Sequence, residues 1–97
     1  MNLLVIAKTK FQYKMNRQEI LKQVEAIFRD IFDDSQLNIV ESTNAEDIED
    51  WDSLNHINLV VAIEKHFDIK FALGELQTLK DVGAMIDLML KEKINFE

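Results

Sequence analysis

Cysteine and proline are both absent from these 97 residues, and glycine occurs only at Gly74 and Gly83. Without cysteine there is no disulfide and no thiolate-ligated metal site. With so few turn formers, a many-stranded sheet and its tight reversals are disfavoured. Hydrophobic residues nevertheless make up 47% of the chain, enough to bury a modest core in one domain, and helices are the natural way to do it. Long apolar runs are missing too. The stretch from Leu3 to Ala7 is five residues, against the roughly 20 needed to cross a bilayer. No basic region precedes it and no small-residue cleavage site follows, so a secretory signal is not expected.

The net charge is −7, unevenly spread. Residues 1–14 hold Lys8, Lys10 and Lys14 and no acid, so the remainder carries −10. Such a body repels phosphate backbones, which argues against nucleic acid as a partner. It is steered instead toward basic grooves on other proteins, although simple solubility explains the charge as well. Residues 1–15 are expected to form a poorly ordered extension, with Met15 a second possible start, and residues 16–97 the functional domain.

From there the periodicity is helical. Ile20, Val24, Ile27, Phe28 and Ile31 share one helix face, with Asn16 and Glu19 at capping-box spacing, and the pattern stops at Phe32. Residues 33–52 show no sustained period. That predicts a long loop, unusual in so small a domain and suggestive of function. A second helix is predicted from about Ser53 to Phe67 and a very short one near Ala72 to Leu76. A last helix follows Thr78 and Asp81, which have capping-box spacing, with Val82, Met85, Ile86, Met89 and Leu90 on one face and Lys91 and Lys93 near its end. The expected fold is all-α: a four-helix bundle of three main helices and one short helix, with a long loop between the first and second. At about 100° per residue, the second helix has two apolar sectors: Leu59, Val60, Ile63 and Phe67 on one side, Leu54, Ile57 and Val61 nearly opposite. The second sector is either core or a docking surface for a partner.

Most chemistries can be set aside. His56 and His66 lie ten residues apart with no cysteine nearby and form no zinc motif. The acidic run from Glu46 to Asp52 lacks the glycine and terminal bidentate acid of a dedicated calcium loop. No Gly-rich phosphate cradle exists. Ser53 and His56 are three residues apart on one helix face, but no nucleophile elbow or oxyanion glycine surrounds them. An enzyme is therefore not expected. What remains is Ser53 as a site of modification. At a loop–helix junction its hydroxyl is reachable, and the helix N-terminus would stabilise an attached phosphodiester by roughly 0.3–1 kcal/mol. The same residues serve equally as a plain cap, with Asp52 or Ser53 at the cap position.

The run Asp52-Ser53-Leu54, then Ile57, Leu59-Val60, Ala62-Ile63-Glu64 and Phe67-Asp68-Ile69, continues with Phe71, Glu75-Leu76, Leu79 and Val82. In order and spacing it resembles the acyl carrier protein family, over about residues 16–93. The resemblance implies a covalent 4′-phosphopantetheine on Ser53, moved there from coenzyme A by a phosphopantetheinyl transferase, with Asp52 and Leu54 completing the attachment motif. It implies acyl or aminoacyl groups held as thioesters and presented to acyl-loading and acyl-transfer enzymes with basic docking surfaces. Leu54, Ile57 and Val61, with the acids Glu49, Asp50 and Glu64, are the expected partner-binding residues. A cytoplasmic monomer is expected, with no membrane insertion. Asn55, His56 and Asn58 stand where fatty-acid carriers usually place acids, Trp51 precedes Asp52, and the glycine often found near the motif is missing. These departures point to a specialised pathway rather than bulk fatty-acid synthesis, such as acylation of a polysaccharide, a secondary metabolite or an aminoacyl transfer. The alternative is an unmodified helical adaptor in which Ser53 only caps a helix.

Overall fold

The computed structural model describes residues 15–90, with the backbone alone at 73, 76 and 77. The expected extension up to residue 14 and Lys91 and Lys93 lie outside these residues. Met15, within them, packs against the core. The order is α1 (Arg17–Ile31), a 3-10 turn (Ala45–Asp47), α2 (Ser53–Phe67), a 3-10 helix (Leu73–Thr78) and α3 (Val82–Leu88). Among the described residues there is no strand, only an isolated bridge between Asn44 and Asp81. No described helix is long and apolar enough to cross a membrane.

α1 begins as its sequence dictates. The Asn16 side chain accepts from the Glu19 amide, and the Glu19 carboxylate accepts from the Asn16 amide in return. Its buried stripe is Ile20, Val24 and Phe28. These join Leu59, Val60 and Ile63 of α2 and Val82, Met85, Ile86 and Met89 from the α3 end in one core, which Ile39, Trp51, Phe71 and Leu79 complete.

Two expectations about the short elements need correction. The fourth helix is a 3-10 helix, Leu73–Thr78, so the described body has three α-helices. Thr78 does not cap α3. Its hydroxyl donates to the Glu75 carbonyl at 2.7 Å, and the cap is Asp81, whose Oδ1 accepts from the Ala84 amide at 2.8 Å. The 3-10 helix that ends at Thr78 keeps that hydroxyl in its own last turn, so the next helix starts later.

The segment between α1 and α2 is irregular but firmly tied. Asp33 turns the chain in the left-handed region (φ 52°), where Asp is among the few side chains that sit readily. Arg29 donates to the Leu37 carbonyl at 2.6 Å, and the Glu25 carboxylate accepts from the Ile39 amide at 3.0 Å. The far half of the segment is clamped to the start of α3. The carbonyls of Thr43 and Glu41 accept from the amides of Val82 and Gly83 at 3.0 and 2.7 Å. A Cβ at Gly83 would lie 3.1 Å from the Glu41 carbonyl, so any side chain there would push the two segments a few tenths of an ångström apart. The segment is therefore irregular yet held at several points. Its order comes from side chains of α1 and backbone amides of α3 that a periodicity scan does not see.

Arg17 completes the clamp. A cation at a helix N-terminus opposes the dipole, yet this one binds Glu41 and Asp87, each at 2.6 Å. The Arg17 hydrogen bond holds the Glu41 carboxyl below its usual range, and the two carboxylates raise the guanidinium further. A carboxyl with a lowered folded-state pKa contributes stability that is full above its unfolded pKa and vanishes as pH falls through the folded value. Glu41→Gln should therefore lower the urea midpoint at neutral pH and reduce the loss of stability on acidification through the carboxylate range, measured by urea titrations at several pH values. The effect is modest because both side chains are partly exposed.

α2 generates the second prediction. Leu59 is fully buried, whereas Ile57 is 53% exposed. Leu59→Ala should cost about 2–5 kcal/mol of unfolding free energy, and Ile57→Ala about 1 kcal/mol or less, both read from urea unfolding.

Candidate functional site

The end of the loop is built on Trp51. It is buried, with its ring edge-on to Phe28 at a centroid distance of 5.2 Å. Its amide donates to the Ile48 carbonyl at 3.1 Å, so the chain arrives at α2 from a fixed point in the core. The next residue, Asp52, has extended backbone angles, and its Oδ1 accepts from the Asn55 amide at 2.9 Å. Asp52 is therefore the N-cap, and Ser53 is the first residue of the helix.

That position leaves Ser53 accessible. It is exposed, and no hydrogen bond joins its hydroxyl to another described residue. The amides of Asn55 and His56 are taken by the Asp52 side chain and carbonyl. Those of Ser53 and Leu54 have no partner among the described residues, as expected for the first amides of a helix. A reachable hydroxyl thus sits beside two free N–H donors at the positive end of a 15-residue helix.

Asn55, His56 and Asn58, in the first turns of α2, hold the joint together. Asn55 donates to the Asp50 carbonyl at 2.9 Å, and Asn58 donates to the Asn55 side chain at 3.1 Å. His56 accepts at Nδ1 from the Trp51 indole N–H at 3.1 Å, with the two rings nearly parallel at 16°. An indole next to a helix cap and an imidazole five residues on carry no pattern in sequence, so this pair is visible only in the fold. His56 is half-buried by it rather than a free surface residue.

The expected partner-binding residues divide into two groups. Leu54, Ile57 and Val61 are 68%, 53% and 42% exposed, on the side of α2 opposite the buried stripe. Glu49 and Asp50 are exposed just before the cap. Glu64 is not part of that surface. Its side chain is only 14% exposed, its carboxylate accepts from the Phe71 amide at 2.8 Å, and Lys70 lies 3.7 Å away. The helix ends three residues beyond Glu64 at Phe67, with Asp68 in the left-handed region. The returning chain therefore passes close enough for its amide to take the carboxylate. Neither histidine belongs to a metal cluster: no group of three acidic, histidine or cysteine side chains that could hold an ion occurs among the described residues.

Comparison with known proteins agrees with this geometry. A family model described as "Phosphopantetheine attachment site" matches residues 22–89, a span that includes Ser53. An acyl carrier protein from Thermosynechococcus vestitus is 34% identical over 76 residues, covering 77% of this chain and 93% of that protein. The solution structure of a holo acyl carrier protein from Geobacter metallireducens is 51% identical, with a TM-score of 0.69, over 74% of this chain and 83% of that one.

Because the cap is Asp52 and not Ser53, the two residues should separate cleanly in stability measurements. Asp52→Ala should cost about 0.5–2 kcal/mol, whereas Ser53→Ala should stay within about 0.5 kcal/mol of the parent, both by urea unfolding of the unmodified protein.

Proposed function

This chain belongs to the phosphopantetheine-attachment family of acyl carrier proteins, and from that premise we propose that Ser53 bears the arm and that the exposed face of α2 presents it to partner enzymes. Members of this family are carriers, not enzymes, and the group they bear is a covalent 4′-phosphopantetheine. The observation that carries the assignment to Ser53 is its unengaged, exposed hydroxyl at the first position of α2. The arm's phosphodiester suits that place, since the free amides of Ser53 and Leu54 and the helix dipole favour an anion. When attached, the arm supplies a terminal thiol that holds acyl cargo as a thioester. Asp52 performs the capping, which leaves Ser53 free of that duty, and the family match favours the carrier over an unmodified adaptor.

The protein's own part is recognition. Leu54, Ile57 and Val61 form an apolar strip beside Glu49 and Asp50, and this combination suits a partner with an apolar pocket ringed by basic residues. Phosphopantetheinyl transferase and the acyl-loading and acyl-transfer enzymes are such partners. Neither nucleic acid nor membrane insertion has a place in this reading, which is of a cytoplasmic monomer. Asn55, His56 and Asn58 remove the acids from the first turns of α2 and so change the charge pattern that partners meet. That change supports a dedicated carrier for a specialised pathway over bulk fatty-acid synthesis.

Incubation with coenzyme A and a phosphopantetheinyl transferase, followed by intact mass measurement, should show one added arm on the parent chain and none on Ser53→Ala. An arm on Ser35 or Ser42 instead would overturn the assignment. Ile57→Ala and Val61→Ala should slow the initial rate roughly fivefold or more, the equivalent of losing about 1 kcal/mol of docking energy, and added salt should slow the parent as well. Wild-type rates for both variants would exclude the apolar strip as the docking surface.

A further inference from the structure

Trp51 leaves His56 with only one way to carry its proton. The indole N–H is a donor and nothing else. It meets His56 Nδ1 at 3.1 Å, so Nδ1 must offer its lone pair and the neutral ring carries hydrogen on Nε2. The two ring nitrogens flank one carbon, so a lone pair aimed at Trp51 turns Nε2–H well away from the buried indole. No described residue accepts from it. The two rings are nearly parallel at 16°, and the hydrogen bond between their edges holds the imidazole in that orientation.

The direction matters because of where His56 stands. Helical side chains lean toward the N-terminus and cover the turn before their own Cα, and here that turn begins with Ser53. From Asn44 to Glu64 the chain contains no lysine or arginine, while Glu46, Asp47, Glu49, Asp50 and Asp52 crowd the same end. An anion attached at Ser53 would find two backbone amides but no nearby cation along this stretch. An acid at position 56 would add repulsion, whereas an oriented imidazole adds a donor.

We propose that His56 Nε2–H donates to the phosphodiester of the arm, with Trp51 as the positioning residue that sets the ring for this contact. The proposal rests on Ser53 as the attachment point. His56 thereby ties the base of the arm to α2 and limits the directions in which the thiol end is offered.

The test compares the 15N-labelled full chain before and after enzymatic loading with the arm. In the unloaded protein, long-range 1H–15N imidazole spectra should show His56 with its proton on Nε2. Loading should move the His56 Nε2 and Hε2 resonances downfield and slow exchange of Hε2 with water. His66, whose Nε2 lies 2.6 Å from Gln23 Oε1, should not respond. The 31P resonance of the loaded chain should shift in His56→Ala. Trp51→Phe, which keeps an aromatic ring in the core but removes the N–H, should let the proton distribute between the two nitrogens and weaken the response to loading. A His56 that serves only to satisfy Trp51 would give the same imidazole resonances with and without the arm, and that result overturns the proposal even if His56→Ala does not fold. If the mass shows no arm on Ser53, the attachment reading fails and this one with it. If the arm is present and the His56 ring does not respond, only this one fails.

Discussion

Burial of Leu59, Val60 and Ile63 fixes the rotation of α2 about its own axis, and the functional end of the molecule follows from that angle. With the stripe in the core, the opposite side of the helix has to face outward, which is where Leu54, Ile57 and Val61 lie. The first residue of the helix is then exposed at the rim. A small bundle can bury one side of such a helix and not both, so a second apolar sector is left exposed. Weakening the buried stripe would loosen the angle at which Leu54, Ile57, Val61 and Ser53 face outward.

The chain achieves this without proline and with two glycines by giving turn and cap duties to Asn and Asp. Asn16, Asn44, Asp52 and Asp81 each stand at the N-cap of a helix or 3-10 turn, where their short side chains bond the free amides. Asp33 and Asp68 take the left-handed conformation that glycine usually supplies. The acidity of the chain is thus partly the by-product of how the fold is punctuated. Acids with an internal partner, such as Glu41 on Arg17 and Glu64 on the Phe71 amide, present less charge to a partner than the free carboxylates of Glu49 and Asp50.

The approach to α2 is tied to two helices at once. Trp51 lies against Phe28 of α1, and its polar edge is satisfied by His56 of α2, so one side chain joins two helices at the point where the chain enters the second. Asn55 closes the same joint through the Asp50 carbonyl. Trp51 and His56 are therefore tied together physically, since Trp51 in the core requires an acceptor and His56 supplies it.

Helices α1 and α2, the capping box at Asn16 and the two sectors of α2 were legible in residues alone, because local hydrogen bonding and a 3.6-residue period are properties of neighbouring positions. The attachment motif was legible as a resemblance for the same reason: its residues are contiguous. Whether the Leu54, Ile57 and Val61 sector is buried as well, however, depended on how the other elements gather around the core. The choice of Asp52 over Ser53 as cap depended on the backbone angle at which Trp51 delivers the chain. Thr78 kept the spacing of a capping box but lost the role, since the 3-10 helix before it held its hydroxyl. Glu64 looked like a surface acid until the chain returned past it with an unpaired amide. In each case sequence determined what a residue could bond, and only the tertiary structure decided which partner came within reach.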